Sequence, residues 1–557
     1  MSNTATENIP VSSITMEFTR QPLDPRLPLV FSTVSDQELE QPQQYQFGII
    51  NITTQPTEMV TTRQDIMFSV DISGSMSDRC ADGNSKMQQI INTITNILTL
   101  ASESNEKGSQ IFIQVDAFDD QIEKIIEMQK VTKDNLTSLI RNIKKMRPRG
   151  TTNIELALQN ANEVLSHIQS TETNSTSTSN STPTHIFLTD GNPTSGCTDK
   201  NKLKELTDSR FRNIFIGYGR DHSAELLLKL SETENSRYLF IDKLEYSGYA
   251  FGEIIHEILY AAFQNCVLKT ENAEIYEYET NTWTNTIHIG LLTGETNKTY
   301  HVRSTTPIQT TTVQLLHSST PPLIQLLNET TAIETSQDDN LAKYMFRQKV
   351  LEVLFNARTN QNLESKSHFP GTHHSLVLDL DENNNTLPEP TTTTHETTKE
   401  ILKNTMNYIK EYMKEQNIEE TTPDSHKDYG FYSTLLDDLY ITYKTYGTQY
   451  GEMYSTSRAN SQGRQQSYNI SELPDDYPPA PPKLRRYPKM RRFVPDMFEP
   501  EPMDKQKQEQ EEEQELEPIH TISRVPLNRA YTSATAENVM RAVSEVTPVA
   551  PKRRPSF

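Results

Sequence analysis

Cysteine is scarce: Cys80, Cys197 and Cys266 are the only three in 557 residues. An odd, scattered trio excludes a disulfide framework or a four-cysteine zinc module. Apolar residues make up 34% of the chain, and the 18 glycines add little. The sum falls short of the roughly 45–50% of ordinary globular chains, so a sizeable part cannot close a core. Positive charge is short as well: 53 Lys and Arg face 75 Asp and Glu, a net charge of −22. That argues against gripping nucleic acid, which needs a positive face. No apolar run reaches the roughly 20 residues that span a bilayer. MSNTATENIPVSS at the start has neither a basic nor an apolar signal region. These absences lead us to expect a soluble, reduced, cytoplasmic protein of two to four domains.

What is there alternates. QDIMFSVD (64–71) is a nearly continuous apolar run ending in an acid, the pattern of a buried parallel strand. Residues 86–100 put Met87, Ile90, Ile91, Ile94, Ile97 and Leu98 on one helical face. Strand-like runs at 111–118, 185–190, 211–219 and 238–242 alternate with helical ones at 136–146, 154–168, 226–230 and 251–263. This predicts an α/β domain over 62–263, a doubly wound parallel sheet covered on both faces. Short β-rich runs at 14–20, 45–54 and beyond Cys266 predict a flanking β-sandwich built from 14–61 and 264–318, with Trp283 in its core. A mainly helical region follows at 335–468, with a polar insert at 364–398. Residues 1–13 and 469–557 read as disordered. Only AENVMRAVSEV (536–546) in that tail has the apolar spacing to become helical on a partner.

The sharpest chemical signal closes the first parallel strand. Asp71, Ser73 and Ser75 alternate in a tight loop at its carboxyl end, the edge where open α/β sheets bind ligands. GTTN (150–153) offers a third hydroxyl, Thr152, just before a helix, and LTDG (188–191) ends another apolar strand in Asp190. Oxygen donors, several of them neutral, suit a hard octahedral cation, and no Cys or His stands by to favour zinc.

With DISGSM, GTTN and LTDG in this order, residues 62–263 resemble a von Willebrand factor type A domain with a complete metal-ion-dependent adhesion site. The resemblance implies that Ser73 and Ser75 ligate Mg²⁺ or Mn²⁺ directly, and that Thr152 does so when ligand is bound. It implies that Asp71 and Asp190 act through water or through the ligating hydroxyls. One coordination position is left for an Asp or Glu of a protein partner. More weakly, the flanks resemble the β and helical segments of plant-type RING proteins that carry such a domain, with 446–467 at the helical end. The RING itself is missing, so ligase activity does not carry over. Vesicle-coat subunits have a related layout.

Other features invite blander readings. Asp116, Asp119 and Asp120 end the second strand and read as a solvated loop rather than a second metal site. His368, His373 and His374 lack zinc-like company. PPAPPK (478–483) matches an SH3-type ligand. The six basic residues of 483–492 read as half of a charge-patterned linker, and Lys552–Arg554 as a weak nuclear address. No nucleophile set or phosphate loop is visible. We therefore expect a non-enzymatic, metal-dependent interaction scaffold. The alternatives are an adaptor subunit in ubiquitin transfer, or a structural coat or shell component with a vestigial metal site.

Overall fold

The computed structural model describes residues 11–19, 45–172, 182–304, 338–367, 393–419, 426–469 and 527–545, apart from Ala81, Arg220, Gln449 and Arg529, together with short strands between 310 and 336. PPAPPK, the basic run, the three clustered histidines and Lys552–Arg554 lie outside the described residues.

Strands β1 (Val11–Thr19) and β2 (Gln46–Thr54) come first and pair antiparallel. Then β3 (Arg63–Asp71), α1 (Lys86–Glu106), β4 (Gln110–Phe118), β5 (Ile122–Lys130), α2 (Lys133–Ile143), α3 (Ile154–Glu172), β6 (Thr184–Thr189), α4 (Lys200–Glu205), β7 (Arg212–Tyr218), α5 (Ala224–Ser231), β8 (Ser236–Ile241) and α6 (Ser247–Leu259) build the α/β domain. Its sheet runs β5-β4-β3-β6-β7-β8, parallel throughout except for β5 at one edge. The sequence pattern gave no strand at 122–130. IEKIIEMQK alternates poorly, because an edge strand buries only part of its length.

The apolar run of β3 is continuous because both of its faces are covered. Ile66, Phe68 and Val70 pack with Ile90, Ile94 and Ile97 of α1 and with Phe251 and Ile254 of α6. Met67 points to the other face, against Ala161, Leu165 and Ile168 of α3. The chain leaves β3 for β4 on one side and later returns to β6 on the other. That reversal opens a crevice at the carboxyl ends of β3 and β6.

After α6 come β9 (Ala261–Thr270), β10 (Glu274–Glu277), β11 (Thr282–Thr284), β12 (Thr286–Thr293), β13 (Asn297–Ser304), β14 (Thr310–Thr311), β15 (Val313–Thr320), β16 (Leu323–Leu326) and β17 (Thr331–Ser336). They form two sheets, β11-β10-β13-β2-β1-β17-β14 and β12-β9-β15-β16. β13 pairs with β2 without a slip from Asn297–Thr53 to Ser304–Gln46, so segments on both sides of the α/β domain share one sheet. Met16, Phe18, Ile50 and Ile52 of that sheet meet Phe263, Leu268, Ile287 and Leu315 of the other in a single core.

Three expectations need correction here. The helix read over 251–263 ends at Leu259, because the residues from Ala261 pair with β12. Trp283 is half-buried on an edge strand rather than in the core, with the Arg303 guanidinium 4.7 Å above its ring. Residues 11–13, read as disordered, begin β1.

The chain divides into two compact units, one of Met1–Lys349, Asn460–Ile470 and Val525–Phe557, the other of Val350–Ala459 and Ser471–Arg524. In the first, the start of α7 (Asp338–Ser367) sets Leu341 and Met345 on Phe47 and Ile49 of β2. In the second, α8 (Thr393–Glu415) buries Leu402, Met406 and Ile409, and packs on α9 (His426–Thr445), which buries Leu435 and Leu439. Asp438 on α9 and Arg458 on α10 (Gly451–Arg464) form a buried ion pair at 2.9 Å. The helices α7 and α8 extend into both ends of the expected polar insert.

The tail also needs correcting. Residues 534–544 form a helix, α11 (Ala534–Ser544), seated on α6 and α1 of the α/β domain. Ala536, Val539, Met540 and Val543 are buried, and Ser533 caps the helix at the Ala536 N–H. The partner that makes this segment helical is the chain itself.

Candidate functional site

The three loops at the crevice are tied together by hydrogen bonds between residues far apart in the chain. After β3, Ile72 N–H donates to Phe118 O at 2.9 Å, which prolongs the strand line by one residue. The backbone then turns through a single 3-10 turn, Gly74–Ser77, pinned by the buried Met76. This turn brings Ser73 and Ser75 to the same side, their hydroxyl oxygens 3.1 Å apart.

Asp71 is fully buried. Its Oδ1 accepts from the Ser73 N–H at 2.7 Å and its Oδ2 from the Thr189 hydroxyl at 2.6 Å. Burial pushes its carboxyl up to about 6, against the pull of those hydrogen bonds. Asp190, also fully buried, accepts from the Ser75 hydroxyl on Oδ1 and from Lys86 Nζ on Oδ2, both at 2.7 Å. Burial alone would lower Lys86, but the hydrogen bond and charge of Asp190 hold it above the ordinary lysine value, with help from Asp78 and Asp221.

Thr152 arrives from the loop between α2 and α3. Arg149 N–H donates to Ile72 O at 2.6 Å, which staples this loop to the first one. Gly150 sits at φ +68°, and a Cβ there would lie 2.7 Å from Asp119 Oδ2, so only glycine fits the turn. Thr152 N–H donates to the Thr194 hydroxyl, and its carbonyl accepts from Thr194 and Ser195 N–H. A Cβ placed on Gly191 would be 3.8 Å from both Ser75 Oγ and Thr152 Oγ1, so both hydroxyls face that glycine. Asn153 then caps α3 through the Leu156 N–H.

All five residues singled out in the sequence thus stand at one rim. The donors gathered there are two carboxylates and three hydroxyls, a set suited to a hard divalent cation. Among the described residues, no group of three or more His, Cys, Asp and Glu side chains is placed to hold a metal ion, so a cation at the rim would rest on the hydroxyls as much as on the carboxylates.

Sequence reasoning missed four contributors. Thr189 lies inside LTDG, yet only the structure shows it bonded to Asp71. Lys86 opens the α1 helix, and its reach to Asp190 crosses 104 positions of chain. Tyr218, fully buried at the end of β7, has a hydroxyl with no hydrogen-bond partner among the described residues. Burial holds its phenol well above the ordinary value, and Asp190 and Asp71 add to the effect. Asp119 was read as part of a solvated loop, but it is buried, binds Arg149 Nε at 2.9 Å and accepts from the Gln121 N–H. Asp116 is buried too, held by Gln114 and Asn160. Of that trio, only Asp120 is exposed.

Residues 65–247 match the family model of the von Willebrand factor type A domain, and the chain carries such a domain. Domains of this family mediate protein–protein interactions, often through a divalent metal, and are mostly non-enzymatic. A curated relative, inter alpha-trypsin inhibitor heavy chain 4 of Mus musculus, is 27% identical over 180 residues. The match covers 32% of this chain and 18% of that protein, so it spans less than a fifth of the relative's length. Among solved structures, a von Willebrand factor type A protein from Catenulispora acidiphila is 13% identical, with a TM-score of 0.43, over 64% of this chain and 84% of that one. The ArnB paralog VWA2 from Sulfolobus acidocaldarius is 13% identical with the same TM-score of 0.43, over 81% and 98%. Proximal thread matrix protein 1 of the mussel byssus, with a zinc-occupied MIDAS motif, is 18% identical with a TM-score of 0.27, over 34% and 46%.

Proposed function

We propose that the chain is a non-enzymatic interaction scaffold whose rim at β3 and β6 holds Mg²⁺ or Mn²⁺ and captures a carboxylate of a protein partner. Ser73, Ser75 and Thr152 would hold the ion through their hydroxyls, with Asp71 and Asp190 backing them. A bound dication supplies an electrophilic position for an incoming Asp or Glu, a strong charge-assisted contact. Asp71 orients the first loop by accepting from Ser73 N–H and Thr189 at once. Asp190 fixes the Ser75 hydroxyl. The observation that carries this reading is the 2.7 Å bond from Ser75 to Asp190 across 115 positions of chain, which joins two of the three loops into one oxygen-lined rim.

The test uses the full chain in affinity capture from extracts, in Mg²⁺ buffer and in EDTA, alongside Mn²⁺ binding followed by electron paramagnetic resonance. We expect capture of an acidic partner only with the ion. We expect Ser73→Ala to weaken Mn²⁺ binding at least about tenfold while moving unfolding free energy by less than about 1 kcal/mol. Equal capture in EDTA, or undiminished Mn²⁺ binding by Ser73→Ala, would discard the mechanism.

A further inference from the structure

We propose that Lys86 is a built-in competitor of the divalent ion, so that the rim holds its cation loosely until an anionic ligand arrives. This rests on the metal reading above and goes one step beyond it.

Lys86 stands at the first residue of α1, where the helix dipole disfavours a cation. It is held there by Asp190, 2.7 Å away and fully buried, while its own side chain is 11% exposed. Asp78 approaches at 3.5 Å but is 60% exposed, so solvent screens it. Asp221 adds to the field, and the Gly219 backbone closes over the stem, where a Cβ would lie 3.9 Å from Lys86 Cε. The second Asp190 oxygen is already taken by Ser75. A buried carboxylate needs a compensating charge, and Lys86 supplies it with no ion present.

The charges set the consequence. Asp71, Asp190 and Lys86 together carry one net negative charge. A dication turns that into one net positive charge, whereas without Lys86 it would only reach neutrality. The ammonium therefore repels the ion and attracts the carboxylate that follows it. Ion and ligand then bind cooperatively, each raising affinity for the other by the same factor. Lys86 acts through Asp190 and the local field, and so is a positioning and tuning residue.

Mn²⁺ binding to the full chain, measured by electron paramagnetic resonance with and without rising acetate as the carboxylate probe, tests this. Lys86→Gln, which retains an N–H donor without the charge, and Lys86→Met should bind Mn²⁺ at least about tenfold more tightly than the natural chain. Lys86→Arg should stay within about twofold, because it keeps the charge. Acetate should tighten Mn²⁺ binding in the natural chain, and less so in Lys86→Gln. Thermal melting should show a larger Mn²⁺-induced rise for Lys86→Gln. A Lys86→Gln affinity equal to or weaker than the natural chain's would overturn the proposal and leave the metal reading standing. So would acetate-independent binding by the natural chain, an outcome that needs no variant to fold. Failure of every form, the natural chain included, to bind Mn²⁺ would instead remove the metal reading and this proposal with it.

Discussion

The rim at β3 and β6 and the groove between α1 and α6 belong to the same domain and are held by opposite physics. At the rim, buried carboxylates are balanced by hydroxyls, N–H groups and one ammonium. In the groove, backbones touch. A Cβ on Gly252 would lie 2.4 Å from Met540 Cα, and one on Gly248 would lie 2.5 Å from Ser544 Cα. The Asn96 side chain ties off the end of α11 by donating to the Val543 and Glu545 carbonyls. The difference teaches where sensitivity lies: the groove should respond to volume, and the rim to charge.

The strongest way to break this contrast is Gly252→Leu. Overpacking against Met540 should cost about 3 kcal/mol and free α11, read as a lower urea midpoint and new proteolysis within 527–545. Mn²⁺ affinity should be unchanged; a large loss would mean that groove and rim are not separate.

A smaller effect sharpens the charge side. His222, behind the loop that borders Lys86, is buried with its ring between the Gly219 carbonyl and the Tyr238 hydroxyl. Burial pushes its imidazole down to about 4, from 6.5 in the unfolded chain. The folded value lies below the unfolded one, so the stability it supplies is full above pH 6.5 and is lost as pH falls towards 4. The slope is up to about 1.4 kcal/mol per pH unit. His222→Gln should be less stable at pH 7 and lose less between pH 6.5 and 4, as read by urea unfolding across pH. Parallel pH curves would refute this.

The smallest effect is Arg541→Ala. The Glu537–Arg541 pair on the outer face of α11 is half-exposed and spaced i, i+4. Its loss should leave the urea midpoint essentially unchanged, because solvent screens the pair and α11 is held by its apolar face. A clear fall in that midpoint would show that charge matters in the groove as well.

Much of the α/β domain was legible. The β3 run is apolar on both faces because helices cover both, and α1 shows its buried stripe at helical spacing. The hydroxyl and acid positions could be read because each follows a strand or precedes a helix. Trp283 misled because a large aromatic ring suggests a core, whereas here it is an edge residue under Arg303. The α11 segment looked like a ligand for something else because its cover lies nearly 300 positions earlier, and nothing in a local pattern marks Gly248 and Gly252 as a seat.

The sequence by itself determined most strands and helices of the α/β domain, its edge strand β5 excepted, and which side chains carry oxygen, since periodicity and side-chain chemistry are local. Tertiary structure alone decided that β2 and β13 share a sheet, that α11 returns to α6, and that Lys86 reaches Asp190. Those pairings depend on where distant segments meet, and that is fixed by the packing of the whole domain rather than by any stretch of its chain.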